Sequence, residues 1–105
     1  MYVDSILGAT DDSEFLIQAD LEKRSYMDLL IMLDLRINYM RNLSNRGDLN
    51  RLNLYVDSYL FPALETTTKK LKCLQNNSLI SSSESNDMIQ ELYDRMDIAS
   101  EILKQ

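Results

Sequence analysis

Between Gly8 and Gly47 the chain runs for thirty-eight residues without a glycine or a proline, and its full 105 residues hold two glycines and one proline. Turns and hairpins are built from those two residue types, so their scarcity leaves few places for the chain to reverse. The residues that fill the space are rich in Leu, Met, Glu and Asp, which favour helix. The expectation is an all-α protein: one domain over residues 1–105, folded as a small up-and-down antiparallel helical bundle of three long helices plus a short N-terminal helix.

The punctuation that does occur sets the helix limits. Asn45-Arg46-Gly47-Asp48 reads as a stop and a start, with Gly47 in the left-handed position that closes a helix and Asp48 as the next N-cap. Residues 76–84 read as a polar loop, followed by a helix over 85–104. Within that loop Ser81 and Glu84 have capping-box spacing, with Ser83 and Ser85 as rival caps. A helix over 48–75 should kink or break about one turn upstream of Pro62, whose ring removes an amide donor. Asp11-Asp12-Ser13-Glu14 has the acids of a helix start, and Tyr2, Val3, Ile6 and Leu7 have helical spacing ahead of it. Residues 12–44 allow one helix or two. Glu22-Lys23-Arg24 falls where an apolar stripe should continue, so the expectation is two helices, 12–21 and 25–44, with a bend near Arg24-Ser25 and Ser25 or Asp28 capping the restart.

Little in the chain can do chemistry. There is no histidine, the commonest general base and metal ligand. No Gly-rich loop is present to cradle a phosphate. Carboxylate pairs occur as Asp94 with Asp97 and Glu101 on the last helix, which read as a solvated face, and as Asp28 with Asp34. Cys73 stands alone, which rules out an internal disulfide, and it reads as a half-buried helix residue. No catalytic residue, metal ligand or cofactor is expected, and the chain is read as a non-enzyme.

A net charge of −6 opposes direct binding to nucleic acid or to anionic membrane surfaces. Basic residues gather in two places, Arg36, Arg41, Arg46 and Arg51 around Gly47, and Lys69, Lys70 and Lys72 late in the third helix. Lys69, Lys70, Lys72 and Arg41 read as offsets to helix dipoles, the alternative being a basic pole that meets an acidic partner or nucleic acid. The longest apolar run, Leu29 to Leu33, is five residues, too short to span a membrane. With no signal-peptide pattern, an intracellular location, cytoplasmic or nuclear and not secreted, is expected.

The informative feature is a surplus of apolar residues. In SYMDLLIMLDLRINYMRNL, residues 25–43, Tyr26, Leu30, Leu33, Ile37 and Met40 make one helical face. Met27, Ile31 and Leu35 stand almost opposite it. The next helix repeats the pattern, with Leu54 and Phe61 away from its main stripe. These five either face a second internal helix or form a contact surface for another protein. The function expected is therefore a non-catalytic protein–protein interaction module, a small subunit or adaptor of a larger intracellular complex, homo- or hetero-oligomeric. The alternative is a viral or phage-type inhibitor or decoy, whose acidic surface would occupy a host nucleic-acid-binding protein.

Overall fold

The first helix, α1, spans Tyr2–Asn45 without interruption. The structure is a computed structural model that describes the backbone of residues 2–105 and the side chains from Glu14 onward. The apolar spacing of Tyr2, Val3, Ile6 and Leu7 falls outside the described side chains, whereas Asp11-Asp12-Ser13-Glu14, expected to start a helix, lies inside α1. Forty-four residues at a rise of ~1.5 Å make a rod of about 66 Å, which accounts for the 69 Å long axis of the molecule.

One helix thus replaces the two expected over 12–21 and 25–44, and there is no bend at Arg24-Ser25. The charged cluster that argued for a break is used sideways instead. Glu22 pairs with Lys70 and Lys23 lies 2.8 Å from Glu84, each on a different neighbouring helix. Arg24 pairs along α1 with Asp20 at 3.0 Å, and Gln18 donates to Glu22 at 2.9 Å. Charges at the end of a core do not end a helix when lateral partners meet them, and i, i+4 pairs support the helix through that point. Ser25 and Asp28 lie inside α1 and cap nothing.

α1 closes at Gly47, whose φ of +74° is the left-handed conformation that residue tolerates. The amide of Asp48 bonds back to the Leu43 carbonyl at 3.1 Å, and the Asp48 side chain then caps α2 (Leu49–Tyr55) by accepting from Arg51. A single π-helical turn, Val56–Leu60, joins α2 to α3 (Phe61–Asn76). Pro62 is the cause that the sequence supplies. It lacks an amide and its ring crowds the carbonyl four residues back, and widening the preceding turn relieves both. The Phe61 amide accordingly reaches back five residues to the Val56 carbonyl. The buried residues of this arm, Leu52, Val56, Leu60, Ala63, Thr67, Leu71 and Leu74, stay on one side through the wide turn. Leu49 and Tyr59, which uniform helical spacing from Leu52, Val56 and Ala63 would place on that face, are exposed.

Ser78 ends α3 with φ +55°, in the region Gly47 occupies but without glycine's freedom, and the Leu79 amide bonds the Leu74 carbonyl at 3.0 Å. α4 spans Ser82–Lys104, three residues earlier than the expected 85–104. Its start is the Ser81–Glu84 capping box, with both reciprocal bonds at 3.1 Å.

The arrangement is all-α and helical-bundle-like, with no strand among the described residues. α3 returns along α1, placing Lys70 beside Glu22. α4 runs in the direction of α1, since Lys23 meets Glu84, Tyr26 meets Met88 and Asp34 meets Arg95 in ascending order on both helices. The core lies along α1, where Tyr26, Leu30, Leu33, Ile37, Met40 and Leu43 are buried against both neighbours. α3 and α4 touch each other less than either touches α1. The apolar residues of α4 are divided accordingly. Met88, Leu92, Ala99 and Ile102 are buried, whereas Met96 and Leu103 open toward the outer side of α3.

The two left-handed stops make a paired prediction for thermal or urea unfolding. Gly47→Ala should cost about 1 kcal/mol, because a Cβ is strained at that φ even though nothing crowds it. Ser78→Gly should stabilise the chain by about 0.5–1 kcal/mol by releasing the same strain.

Candidate interaction surface

All five residues expected to meet a partner lie at the surface. On α1, Met27, Ile31 and Leu35 are 44%, 55% and 65% exposed, and Leu54 and Phe61 are 66% and 53% exposed. Among the described residues no other helix of this chain covers the second seam of α1. α3 and α4 both pack on the Tyr26–Met40 face, and Met27, Ile31 and Leu35 on the opposite face stay exposed.

The five do not form one surface. Phe61 lines a shallow groove between α3 and α4, with Leu64, Met96 and Leu103, to which α1 contributes no residue. Met27, Ile31 and Leu35 lie on the outer side of α1. Leu54 is on α2, seven residues before Phe61. A third apolar depression runs between α1 and α3, from Arg36, Tyr59 and Pro62 past Leu29 and Met32 to Lys69, Lys70 and Cys73.

The outer stripe of α1 is longer than the sequence reading made it. Ile17 and Leu21 are 61% and 52% exposed and continue it toward the N-terminus, joined to Ile31 through Arg24 and Asp28. The expected bend would have turned residues 12–21 away from this line. The signal that carries it is the run of steps of four and three residues through positions 17, 21, 24, 28, 31 and 35.

The groups considered for chemistry are dispersed. Asp94, Asp97 and Glu101 are exposed on α4; Asp94 accepts from Gln90 at 2.8 Å, and Glu101 faces Lys104. Among the described residues no three His, Cys, Asp or Glu side chains converge on a point that could hold a metal. Cys73 is exposed rather than half-buried, and its sulfur accepts from the Asn77 amide group at 3.3 Å. Thr66, Thr67 and Thr68 each turn the hydroxyl back onto the carbonyl four residues earlier. Thr67 is fully buried there.

Three members of the basic groupings are taken up in ion pairs. Lys69 meets Glu65, Lys70 meets Glu22 and Arg51 meets Asp48. No basic side chain lies in the last turn of α1 or α3, so a dipole offset is not what places them. Arg36 sits 5.5 Å from the Tyr59 ring centre, beside the row of mutually tilted rings of Tyr39, Tyr55 and Tyr59. One charged residue on a buried face escaped the sequence reading. Arg95 packs toward α1, donates from Nη2 to Asp34 at 3.1 Å and from Nη1 to the Glu91 carbonyl at 2.9 Å, and so ties α4 to α1.

Among the described residues two groups titrate away from their usual range, and both belong to the packing. Burial pushes the Tyr26 hydroxyl up to about 12, with the nearby Glu91 charge adding to it and Arg95 opposing it. That hydroxyl donates to the Met88 carbonyl at 2.8 Å. The Lys23 ammonium, and then the Ser81 amide, hold the Glu84 carboxyl below the usual glutamate value. No described helix is long and apolar enough to cross a membrane. No family model, curated protein or solved structure matches the chain.

Tyr26 yields a test of the α1–α4 contact. Its hydroxyl pKa is raised by folding, so its contribution to stability is complete below the unfolded value of 10.0 and is lost as pH rises toward about 12. Tyr26→Phe should cost about 1 kcal/mol at neutral pH. Its stability should fall less than that of the parent chain between those two pH values in urea titrations.

Proposed function

We propose that this protein is a non-catalytic interaction module, a small up-and-down helical bundle that joins a larger intracellular assembly through the outer stripe of α1. The observation that carries the reading is the exposure of Met27, Ile31 and Leu35 on a helix whose other face is already filled. Exposing a row of large apolar side chains to water costs stability without any return inside the chain, and such rows mark contact surfaces. Methionine at such a surface adapts to the shape it meets. The groove holding Phe61 is a second, separate face of the same kind, and gives the module the two sides an adaptor needs.

The test compares the parent chain, Ile31→Glu/Leu35→Glu and a control, Asp97→Lys, as baits in the native source. The double variant should keep its helical circular dichroism, since exposed positions change stability by only about 0.5 kcal/mol. It should lose proteins that the parent and control capture. Equal capture by all three, or unfolding of the double variant, would overturn the reading. Salt separates it from an acidic decoy: apolar contacts persist at high ionic strength, whereas a charge mimic releases its partner steeply.

A further inference from the structure

The outer stripe of α1 is complementary to itself when one copy is turned end for end. From N- to C-terminus it reads Ile17, Leu21, Arg24, Asp28, Ile31, Leu35, in steps of four, three, four, three and four. Those steps alternate as the seam positions of a two-stranded coiled coil do. They are symmetric about position 26, and so is their chemistry. Two apolar layers lie at each end, with a cation and an anion between them.

We propose that two copies of this chain pair through the outer faces of their α1 helices, antiparallel, about a two-fold axis level with residue 26. The proposal rests on the interaction reading above and names the occupant of that stripe. In this register Ile17 meets Leu35 of the second copy, Leu21 meets Ile31 of the second copy, and Arg24 meets Asp28 of the second copy. The two-fold axis repeats each pairing, giving six layers over about 27 Å of helix.

Charge selects the orientation. A parallel pair in register would set Arg24 against Arg24 and Asp28 against Asp28, which repel at the centre of the seam. The antiparallel pair sets opposite charges together twice. Both side chains are exposed: Arg24 pairs only with Asp20 of its own helix, and Asp28 has no ion-pair partner among the described residues. Arg24 has donors enough to serve both carboxylates. Like charges do approach on one flank, where Asp20 nears Asp34 of the second copy. Each of these acids is already paired with an arginine of its own chain, Arg24 and Arg95. Met27 of each copy flanks the axis on that same side.

Space selects the face. α3 lies on the side of α1 that carries Glu22 and Leu29, and α4 on the side that carries Lys23 and Asp34. The stripe occupies the remaining sector, with Asp28 at the edge of the groove between α1 and α3, so a second α1 docks without displacing either helix. The central charged layers fix register and orientation at a cost in affinity, as polar residues in coiled-coil seams do. The dimer is therefore a reversible one.

Sedimentation velocity from low to high micromolar concentration tests the proposal, with helix content followed by circular dichroism. The parent chain should shift from monomer toward dimer. Arg24→Asp and Asp28→Arg should each raise the dissociation constant at least about tenfold. The chain carrying both changes should return to within about threefold of the parent, because the exchanged charges face each other again. In a Cys73→Ser background, L21C and I31C chains mixed under oxidised glutathione should form the mixed disulfide in preference to either homodimer. A monomer at every concentration overturns the second copy as occupant. If Ile31→Glu/Leu35→Glu still abolishes capture in that case, the interaction reading stands with a different partner. Failure of the double charge exchange to recover, or a dominant L21C homodimer, overturns the antiparallel register.

Discussion

Two lateral ion pairs, Glu22 with Lys70 and Lys23 with Glu84, sit where α1 leaves the cover of its neighbours. Everything longer than an ordinary helical bundle depends on them. Below that level the α1 face is apolar and sealed by α3 and α4, from Tyr26 to Leu43. Above it the helix continues, with large apolar residues exposed on it. Without lateral partners, adjacent opposite charges at the end of a core are a natural place for a chain to turn. With them, each charge clamps a different neighbouring helix and the backbone runs straight through. The same pairs set the register of α3 and α4 against α1, because Lys70 is near the end of one helix and Glu84 at the beginning of the other.

Most of the core was legible from residue spacing alone, because helical periodicity is a local property. Tyr26, Leu30, Leu33, Ile37 and Met40 face inward as the pattern requires. The stop at Gly47, the cap at Asp48 and the disturbance before Pro62 follow from single-residue stereochemistry. The Ser81–Glu84 box was visible too, although a rival serine cap shifted the expected start of α4. What local pattern does not carry is which distant residue answers a charge. Glu22 and Lys70 are far apart in the chain, and no rule of spacing joins them. The continuity of α1, the role of Arg95 and the length of the outer stripe were hidden for that reason. The wide turn at Val56–Leu60 had a similar effect, since a change of helical pitch moves Tyr59 off the face that a uniform helix would give it.

α1 therefore carries two apolar stripes with different obligations. The inner one is satisfied within the chain and needs no further contact. The outer one is interrupted at its centre by Arg24 and Asp28, which a core stripe would not tolerate but an exposed one can keep in water. That interruption limits indiscriminate association, because any apolar surface laid along the stripe must strip water from two charges. It leaves the stripe open to a partner that presents opposite charges at the same level. Selectivity and exposure are reconciled in this way on a helix with no room for a separate binding loop.

Tyr26 gives the molecule one further property. The chain has no tryptophan, so its near-ultraviolet spectrum is dominated by tyrosine. Of the described tyrosines, Tyr26 is the one whose ring is sealed in fixed, asymmetric surroundings, with its hydroxyl anchored on α4. Its ring lies on the side of α1 turned away from the outer stripe. An optical signal from this residue consequently follows the docking of α4 onto α1 and stays silent about whatever lies along the other side. The protein carries its own internal gauge of folding, separate from any gauge of assembly.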